Sequence, residues 1–286
     1  MGLALALLGA GAPLSAATTE EAPPPALQQY YQEALEFYTA ADYRRAIMKW
    51  NEILKQDPEQ RSAQTMILEA RRQIGILTKK RRRKAFEQIE TGFYQKAFLT
   101  LEALLDQDPS DPQITSLRAR LEKVVKISPA IAAQDKASRM ALRGLEGYLA
   151  IPEDSKLAYN GLRYACELKP REALFKSLLE MLLLEHPALT ADAITPGMTF
   201  LEYKHFVALH HIYDAKYHLA VGVLDEILAL EPSDLTALKR LGSSYYSLGH
   251  MDKAADAWTH ALKLAPSDSG LKSFLARIKK NTNSEK

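Results

Sequence analysis

The strongest constraint on the fold is a 34-residue interval between two similar stretches of the chain. Each stretch ends at a proline, Pro232 in the first and Pro266 in the second. Before each proline, apolar residues recur every three or four positions, as they do on one face of an α-helix. Repeats of this length are typical of helical hairpins that stack on one another, so the sequence predicts a helical repeat fold.

The second stretch, LKRLGSSYYSLGHMDKAADAWTHALKLAP, carries the most complete pattern. The pattern residues are Leu238, Leu241, Gly242, Tyr245, Gly249, Ala254, Trp258, Ala261 and Pro266. This stretch resembles the tetratricopeptide repeat, a helix-turn-helix unit in which small residues let two helices approach closely. The resemblance implies an all-α solenoid wound as a right-handed superhelix, because one helix pair cannot bury its apolar face alone and the pairs therefore stack.

Three more stretches resemble the same repeat. The matching residues are Ala34, Phe37, Tyr43, Ala46, Trp50, Ile53 and Pro58 in the first, Ala85, Gly92, Tyr94, Ala97, Leu101, Leu104 and Pro109 in the second, and Tyr217, Ala220, Leu224, Ile227 and Pro232 in the third. Pro58 and Pro109 are 51 residues apart, which is one and a half repeats. We therefore expect an additional helix there, which runs directly, or with a kink near Gly75, into the basic residues that follow.

The chain is accordingly divided into five segments. These are a signal peptide at residues 1–17, a proline-rich linker at 18–29, an N-terminal repeat block at 30–126, a divergent helical region at 127–200, and a C-terminal repeat block with a capping helix at 201–286. The repeat pattern is weak between residues 111 and 200. Two interpretations of the divergent region stay open: divergent helix pairs, or a hinge between two repeat blocks.

The N-terminal stretch MGLALALLGAGAPLSAATTEE is interpreted as an export signal. Ser15, Ala16 and Ala17 follow its apolar run and fit a cleavage site before Thr18. The run is too short to be a stable membrane anchor. No basic residue precedes it, so an apolar cytoplasmic tail and an upstream start codon remain alternatives. We expect a periplasmic or otherwise exported bacterial protein with no transmembrane helix in the mature chain.

The basic stretch Lys79–Lys84 holds six consecutive bases. Because successive helical residues are rotated by about 100°, these side chains cannot share one face. The family's ligand-facing positions fall here on Lys79, Arg82, Phe86, Ile89 and Glu90. Three interpretations remain: a solvated helix surface, a groove for an acidic segment, or a binding site for nucleic acid or another anionic polymer. The near balance of 37 basic and 35 acidic residues weakens the last interpretation.

The same repeat register nominates a set of partner-binding residues. They are Tyr31, Leu35, Tyr38, Lys79, Arg82, Phe86, His205, Tyr213, Lys239 and Tyr246. The family's carboxylate-clamp variant uses Lys and Asn at the fifth and ninth positions of its first helix. The first repeat has Tyr31 and Leu35 there, so a clamp for chaperone tails is not expected.

The sequence offers no pattern for catalysis or metal binding. His205, His210, His211 and His218 contain no pair at i, i+4, the spacing that puts two ligands on one helix face. The single cysteine, Cys166, excludes an intrachain disulfide and a multi-cysteine metal site. Glu153 and Asp154 are assigned to a turn and a helix cap. We therefore expect no enzyme activity, no cofactor and no metal.

The predicted function is a protein-interaction scaffold that binds a peptide or a partner helix in a concave groove. The resemblance implies a role in cell-envelope, secretion or pilus assembly, which is analogy because a fold does not fix a function. The alternative is a binder of nucleic acid or another anionic polymer that uses Lys79–Lys84.

Overall fold

A computed structural model describes residues 25–106, 109–191 and 194–284 of the chain. These residues are helical and contain no β-strand, which confirms the predicted all-α class. The predicted signal peptide and residues 18–24 of the predicted linker lie outside the described residues. No helix in the described ranges has both the length and the apolar character needed to cross a bilayer.

The chain divides into two compact units, Met1–Lys79 and Lys80–Lys286, rather than at the predicted block boundary near residue 126. The first unit contains α1 (Pro25–Thr39), α2 (Tyr43–Gln56) and the first part of α3 (Arg61–Glu90). Residues 25–29, which the sequence assigned to the linker, are the start of α1. A helix can begin at Pro25 because proline is tolerated in the first turn, where its missing N–H has no intrahelical partner.

The core of the first unit combines one large aromatic residue with small residues on the facing helices. Trp50 on α2 is fully buried and packs with Ala34 on α1 and Ala70 on α3. The carboxylate of Asp42 caps α2 by accepting a hydrogen bond from the backbone N–H of Arg45 at 3.2 Å. The predicted alternation of small and large residues therefore positions α1 against α2.

The predicted additional helix and the basic stretch belong to one element. α3 is a single helix of 30 residues that contains Lys79–Lys84, so the additional helix runs into the basic residues. Gly75 is exposed, and a Cβ at this position would have no atom within 4 Å, so it makes no close helix contact.

The second unit continues from α3 through a series of helices that pack on their neighbours in sequence. They are α4 (Tyr94–Leu105), α5 (Pro112–Ile127), α6 (Lys136–Tyr148), α7 (Ser155–Leu168), α8 (Ala173–Glu185), a short 3₁₀ helix (Pro187–Ala191), α9 (Phe200–Tyr213), α10 (Tyr217–Leu230), α11 (Leu235–Ser247), α12 (Met251–Leu264) and α13 (Ser269–Ser284). The antiparallel pairs of this series are the architecture of a helical-repeat solenoid.

One apolar core joins the repeat-like helices to the divergent region. Its buried residues extend from Ala85 on α3 through the divergent region to Phe200 on α9 and Leu230 on α10. Polar contacts then attach the C-terminal helices to α7. The carboxylate of Glu226 on α10 accepts hydrogen bonds from Lys204 on α9 at 2.8 Å and from the amide of Asn160 on α7 at 3.0 Å. Burying a lysine is tolerated here because its charge is paired.

The last repeat packs as its sequence predicts. A Cβ added to Gly242 on α11 would lie 2.4 Å from the ring of Trp258 on α12, so the indole occupies the space that the missing side chain leaves. Leu271 and Ile278 on α13 are buried against the same cluster. α13 therefore covers the apolar face of the last pair, as expected for a capping helix.

Candidate partner-binding site

The second unit carries an open surface cleft of about 560 Å³, here called the α3–α5 cleft. Arg82 and Phe86 line it from α3. Pro112, Gln113, Ser116 and Arg120 line it from α5, and Ile151, Pro152 and Glu153 come from the loop between α6 and α7. Arg82 and Phe86 are four positions apart, as are Pro112, Ser116 and Arg120, so each helix presents one face to the cleft.

Two of the predicted ligand-facing residues meet in this cleft. Phe86 is half-buried, and its inner side packs on the core. The guanidinium carbon of Arg82 lies 6.0 Å from the centre of the Phe86 ring. One of its nitrogens is 3.4 Å from the side-chain oxygen of Gln113, a long contact to a neutral group. Arg82 therefore lies near an aromatic ring, and the hydrogen bond it makes in the cleft is a long one to a neutral amide.

Arg120 has a different role, because its guanidinium is directed into the protein. It donates hydrogen bonds to the backbone carbonyls of Tyr148 and of Ala150, the latter at 3.0 Å. It also lies 3.5 Å from a carboxylate oxygen of Glu153. The side chain is nearly buried, so these contacts fix the α6–α7 loop as one wall of the cleft.

The same wall is attached to α8. A carboxylate oxygen of Glu153 lies 2.7 Å from Nε2 of His186. The Tyr148 hydroxyl donates to Glu185 at 2.9 Å, and burial together with this acceptor raises the pKa of Tyr148. Lys123 on α5 pairs with Glu185 at 3.0 Å. The loop wall is thus held by contacts on both of its sides.

These contacts decide the charge that the cleft offers to a ligand. The charge of Arg120 is opposed by Glu153, whereas Arg82 has no ion pair with a described residue. Phe86, Ile151 and Pro152 add apolar surface to the same cleft. The α3–α5 cleft therefore combines one available cation with apolar walls, a combination suited to a carboxylate beside an apolar side chain.

The predicted binding residues of the first unit lie mainly within its own packing. The Tyr31 hydroxyl shares a 2.7 Å hydrogen bond with the Ser62 hydroxyl. The Tyr38 ring packs on Tyr43 and Trp50, with ring centres 5.1 Å and 5.7 Å apart. Leu35 is 46% exposed, and Lys79 is exposed near the end of the unit. Tyr31 and Tyr38 are thus engaged by neighbouring helices of the unit.

The predicted residues of the C-terminal block fall into separate environments. Nε2 of His205 lies 3.0 Å from Asp234, and the His205 backbone carbonyl accepts from Arg240 at 3.0 Å, so this residue links α9 to α11. Lys239 forms an ion pair with Asp268 at 2.5 Å. Tyr213 is 79% exposed at the end of α9. Tyr246 lines a pocket, which is described below.

Sequence reasoning missed the α5 face and the α6–α7 loop. These residues lie in the stretch where the repeat pattern fades, so no register pointed to them. One signal was present: Arg120 interrupts the apolar stripe formed by Leu117, Leu121 and Val124 on α5. Glu153 lies in the loop before α7, and the sequence did not indicate its contacts with Arg120 and His186, while Asp154 caps α7.

The described residues contain no group of three or more His, Cys, Asp or Glu side chains placed to hold a metal ion. His210 instead packs on Phe206, with ring centres 4.3 Å apart. Burial raises the pKa of the Cys166 thiol, which disfavours the reactive thiolate.

The last helix pair matches a known family. Residues 236–268, which span α11 and α12, match the model of the tetratricopeptide repeat. This match confirms the repeat that the sequence predicts between Leu238 and Pro266. No curated protein matches the chain.

Several solved structures are similar over much of their length. The TPR2AB domain of yeast Sti1, solved in complex with a pHSP90, has 15% identity and a TM-score of 0.30, and the match covers 91% of this chain and 85% of that one. The TPR domain of P58(IPK) has the same identity and TM-score, with coverages of 91% and 80%. The thermophilic TPR protein TTC0263 of Thermus thermophilus has 17% identity and a TM-score of 0.21, with coverages of 88% and 98%.

Proposed function

We propose that this protein is a non-enzymatic interaction scaffold that binds a segment of a partner protein in the α3–α5 cleft. The main support is the position of Arg82 near the Phe86 ring in an open cleft. The second arginine of the cleft, Arg120, already donates to a backbone carbonyl of the protein. A repeat architecture of helix pairs supports this function, because such folds present extended concave surfaces.

The chemistry of the cleft specifies the kind of segment. A carboxylate placed at Arg82 would accept two parallel hydrogen bonds from the guanidinium, a contact worth about 1.5–3 kcal/mol when water is excluded. An apolar side chain next to it would cover Phe86, Ile151 and Pro152. The proposed ligand is therefore a segment with an acidic side chain beside an apolar one.

A selection from a random peptide library tests this proposal. The full chain would be immobilised, and bound 12-residue peptides would be eluted with free protein. We expect enrichment of peptides that carry Asp or Glu within two positions of Leu, Ile, Val or Phe. Enrichment of purely apolar or basic peptides, or no enrichment over the blank surface, would contradict the proposed ligand. An anionic-polymer site would instead retain RNA or heparin with a steep dependence on salt.

We also propose that the chain acts outside the bacterial cytoplasm. The support is the apolar start and the small residues Ser15, Ala16 and Ala17, which fit a signal peptide. The family resemblance adds a setting in secretion, pilus or outer-membrane assembly. N-terminal sequencing of the protein from its native host should give Thr18 as the first residue, and an intact Met1 would contradict export.

A further inference from the structure

The last repeat and the capping helix enclose a small pocket, here called the α11–α13 niche. Its volume is about 130 Å³, and it shares no residue with the α3–α5 cleft. It is lined by Ser243, Tyr246 and Ser247 from α11, Trp258 from α12, and Phe274 and Arg277 from α13. Tyr246 belongs to the positions that the repeat register assigns to the ligand-facing side.

Three aromatic rings form the apolar part of the niche. The rings of Trp258 and Phe274 stack with their centres 4.9 Å apart and their planes 20° apart. The Tyr246 ring lies 5.8 Å from Trp258. Trp258 is 2% exposed and donates its indole N–H to the backbone carbonyl of Lys239, whereas Phe274 is 42% exposed. A fixed indole therefore forms the floor, and Phe274 forms a wall that reaches solvent.

The charged part of the niche is one guanidinium. Arg277 is exposed and has no ion pair with any residue in the described ranges. Asp268, at the start of the same helix, is already engaged: it pairs with Lys239 and accepts the backbone N–H of Leu271 at 3.0 Å. The Ser243 hydroxyl donates to the Lys239 carbonyl at 3.0 Å. The charge of Arg277 therefore dominates the mouth of the niche.

Size and charge together select one class of occupant. A cavity of about 150 Å³ holds a benzene molecule, so the niche has room for one side chain of that size or slightly smaller. An aromatic cage by itself also suits a cation. Arg277 repels a cation and attracts a carboxylate, which removes that alternative.

We propose that the α11–α13 niche is a second partner-binding site, which takes one apolar side chain together with an adjacent acidic side chain of a protein segment. The inference stands independently of the α3–α5 cleft, because different helices supply the residues. A chain with two such sites can bind two segments of one partner, which raises the overall affinity without new contacts at either site.

Two tryptophans provide a direct readout. The chain contains only Trp50 and Trp258, so its indole N–H groups give two NMR signals, of which one reports on the niche and the other on the first unit. The probe is the capped peptide acetyl-Gly-Ser-Leu-Asp-Ser-Gly-amide, whose amidated end excludes binding through a terminal carboxylate. We expect the peptide to shift the Trp258 signal and leave the Trp50 signal unchanged.

Matched peptides and variants define the chemistry. Replacing Asp by Asn in the peptide should weaken binding about fivefold or more, and replacing Leu by Gly should remove it. The Arg277→Glu variant should reverse the preference of the wild type. It should bind the Asp peptide most weakly and a peptide with Lys in place of Asp most tightly. Lys272→Glu makes the same charge change on the same exposed helix outside the niche, and it should keep the preference of the wild type.

Three results would overturn the proposal. The first is no shift of Trp258 at millimolar peptide. The second is equal affinity for the Asp and Asn peptides, and the third is an equal loss in Arg277→Glu and Lys272→Glu, which would indicate bulk charge. Trp258 lines the niche and not the α3–α5 cleft, so its signal distinguishes a failure of the niche from a failure of the cleft.

Discussion

Gly144 on α6 and Gly161 on α7 face each other so closely that a Cβ on Gly161 would lie 2.6 Å from the Cα of Gly144. Neither helix can carry a larger residue at this crossing without moving away from the other. This contact lies in the region where the repeat pattern is weak. It joins α6 and α7, the two helices that flank the loop forming one wall of the α3–α5 cleft.

Gly161→Ala should therefore destabilise the protein. The added methyl group would overlap the backbone of α6, so we expect a loss of about 1–3 kcal/mol in the free energy of unfolding. Gly222→Ala is the matched control, because a Cβ at Gly222 on α10 has no atom within 4 Å. It should stabilise by about 0.5–1 kcal/mol through helix propensity. Urea unfolding measures both, and similar changes in the two variants would contradict the close crossing.

A second prediction concerns the arginine that holds the loop wall. Arg120→Leu removes the donors to the Tyr148 and Ala150 carbonyls, and we expect a loss of about 1–3 kcal/mol because buried acceptors are left unpaired. Arg118→Leu on the same helix is the control. The Arg118 side chain is one-third exposed and pairs with Glu102 and Glu122. Because partly exposed ion pairs contribute little, Arg118→Leu should lower the free energy of unfolding by only about 0–1 kcal/mol. Thermal unfolding of both variants tests this, and an equal cost would contradict the role of Arg120.

Asp135 gives the stability a specific dependence on pH. Its carboxylate accepts from the Lys169 ammonium and from the backbone N–H of Ser138 at 2.9 Å, and these contacts lower its pKa to about 2. A carboxylate with a lowered pKa contributes stability above its unfolded pKa of about 3.9, and this contribution is lost as the pH falls towards 2.

Asp135→Asn should accordingly flatten the pH dependence of stability between pH 4 and 2. Lys169→Met removes the ammonium that contributes most to the lowered pKa of Asp135, and it should flatten the pH dependence over the same range. Unfolding curves at pH 2.5, 3.5 and 5 measure the effect. If the stability of both variants depends on pH as that of the wild type does, this ion pair does not determine the loss of stability at low pH.

The sequence predicted the features that depend on local periodicity. Gly242 and Trp258 lie 16 positions apart in one repeat unit, and their contact follows from the small and large positions of that unit. The additional helix before the basic residues, which forms the first part of α3, followed from the spacing of Pro58 and Pro109.

Features that depend on contacts between distant segments could not be predicted in this way. The loop wall of the α3–α5 cleft exists because Arg120 reaches carbonyls 28 and 30 residues further along the chain, and no sequence period encodes that contact. The partner of His205 is Asp234, 29 residues away. Tyr31 matched a ligand-facing position, although its hydroxyl is bonded to Ser62. A repeat register gives the face of a helix, but tertiary packing decides which side chains remain available.

The most direct test of the α3–α5 cleft as the binding site compares Arg82→Glu with Arg83→Glu. The quantity measured is the affinity for the peptide that the library selection enriches. Both variants change the charge of α3 equally, but Arg82 lines the α3–α5 cleft, while Arg83 is exposed outside it. We predict that Arg82→Glu weakens binding about tenfold or more, as expected for one lost charge-assisted contact, and that Arg83→Glu stays within about threefold of the wild type. Equal losses in the two variants, together with a steep fall in affinity between about 50 mM and 200 mM salt, would contradict the cleft and favour attraction by bulk positive charge.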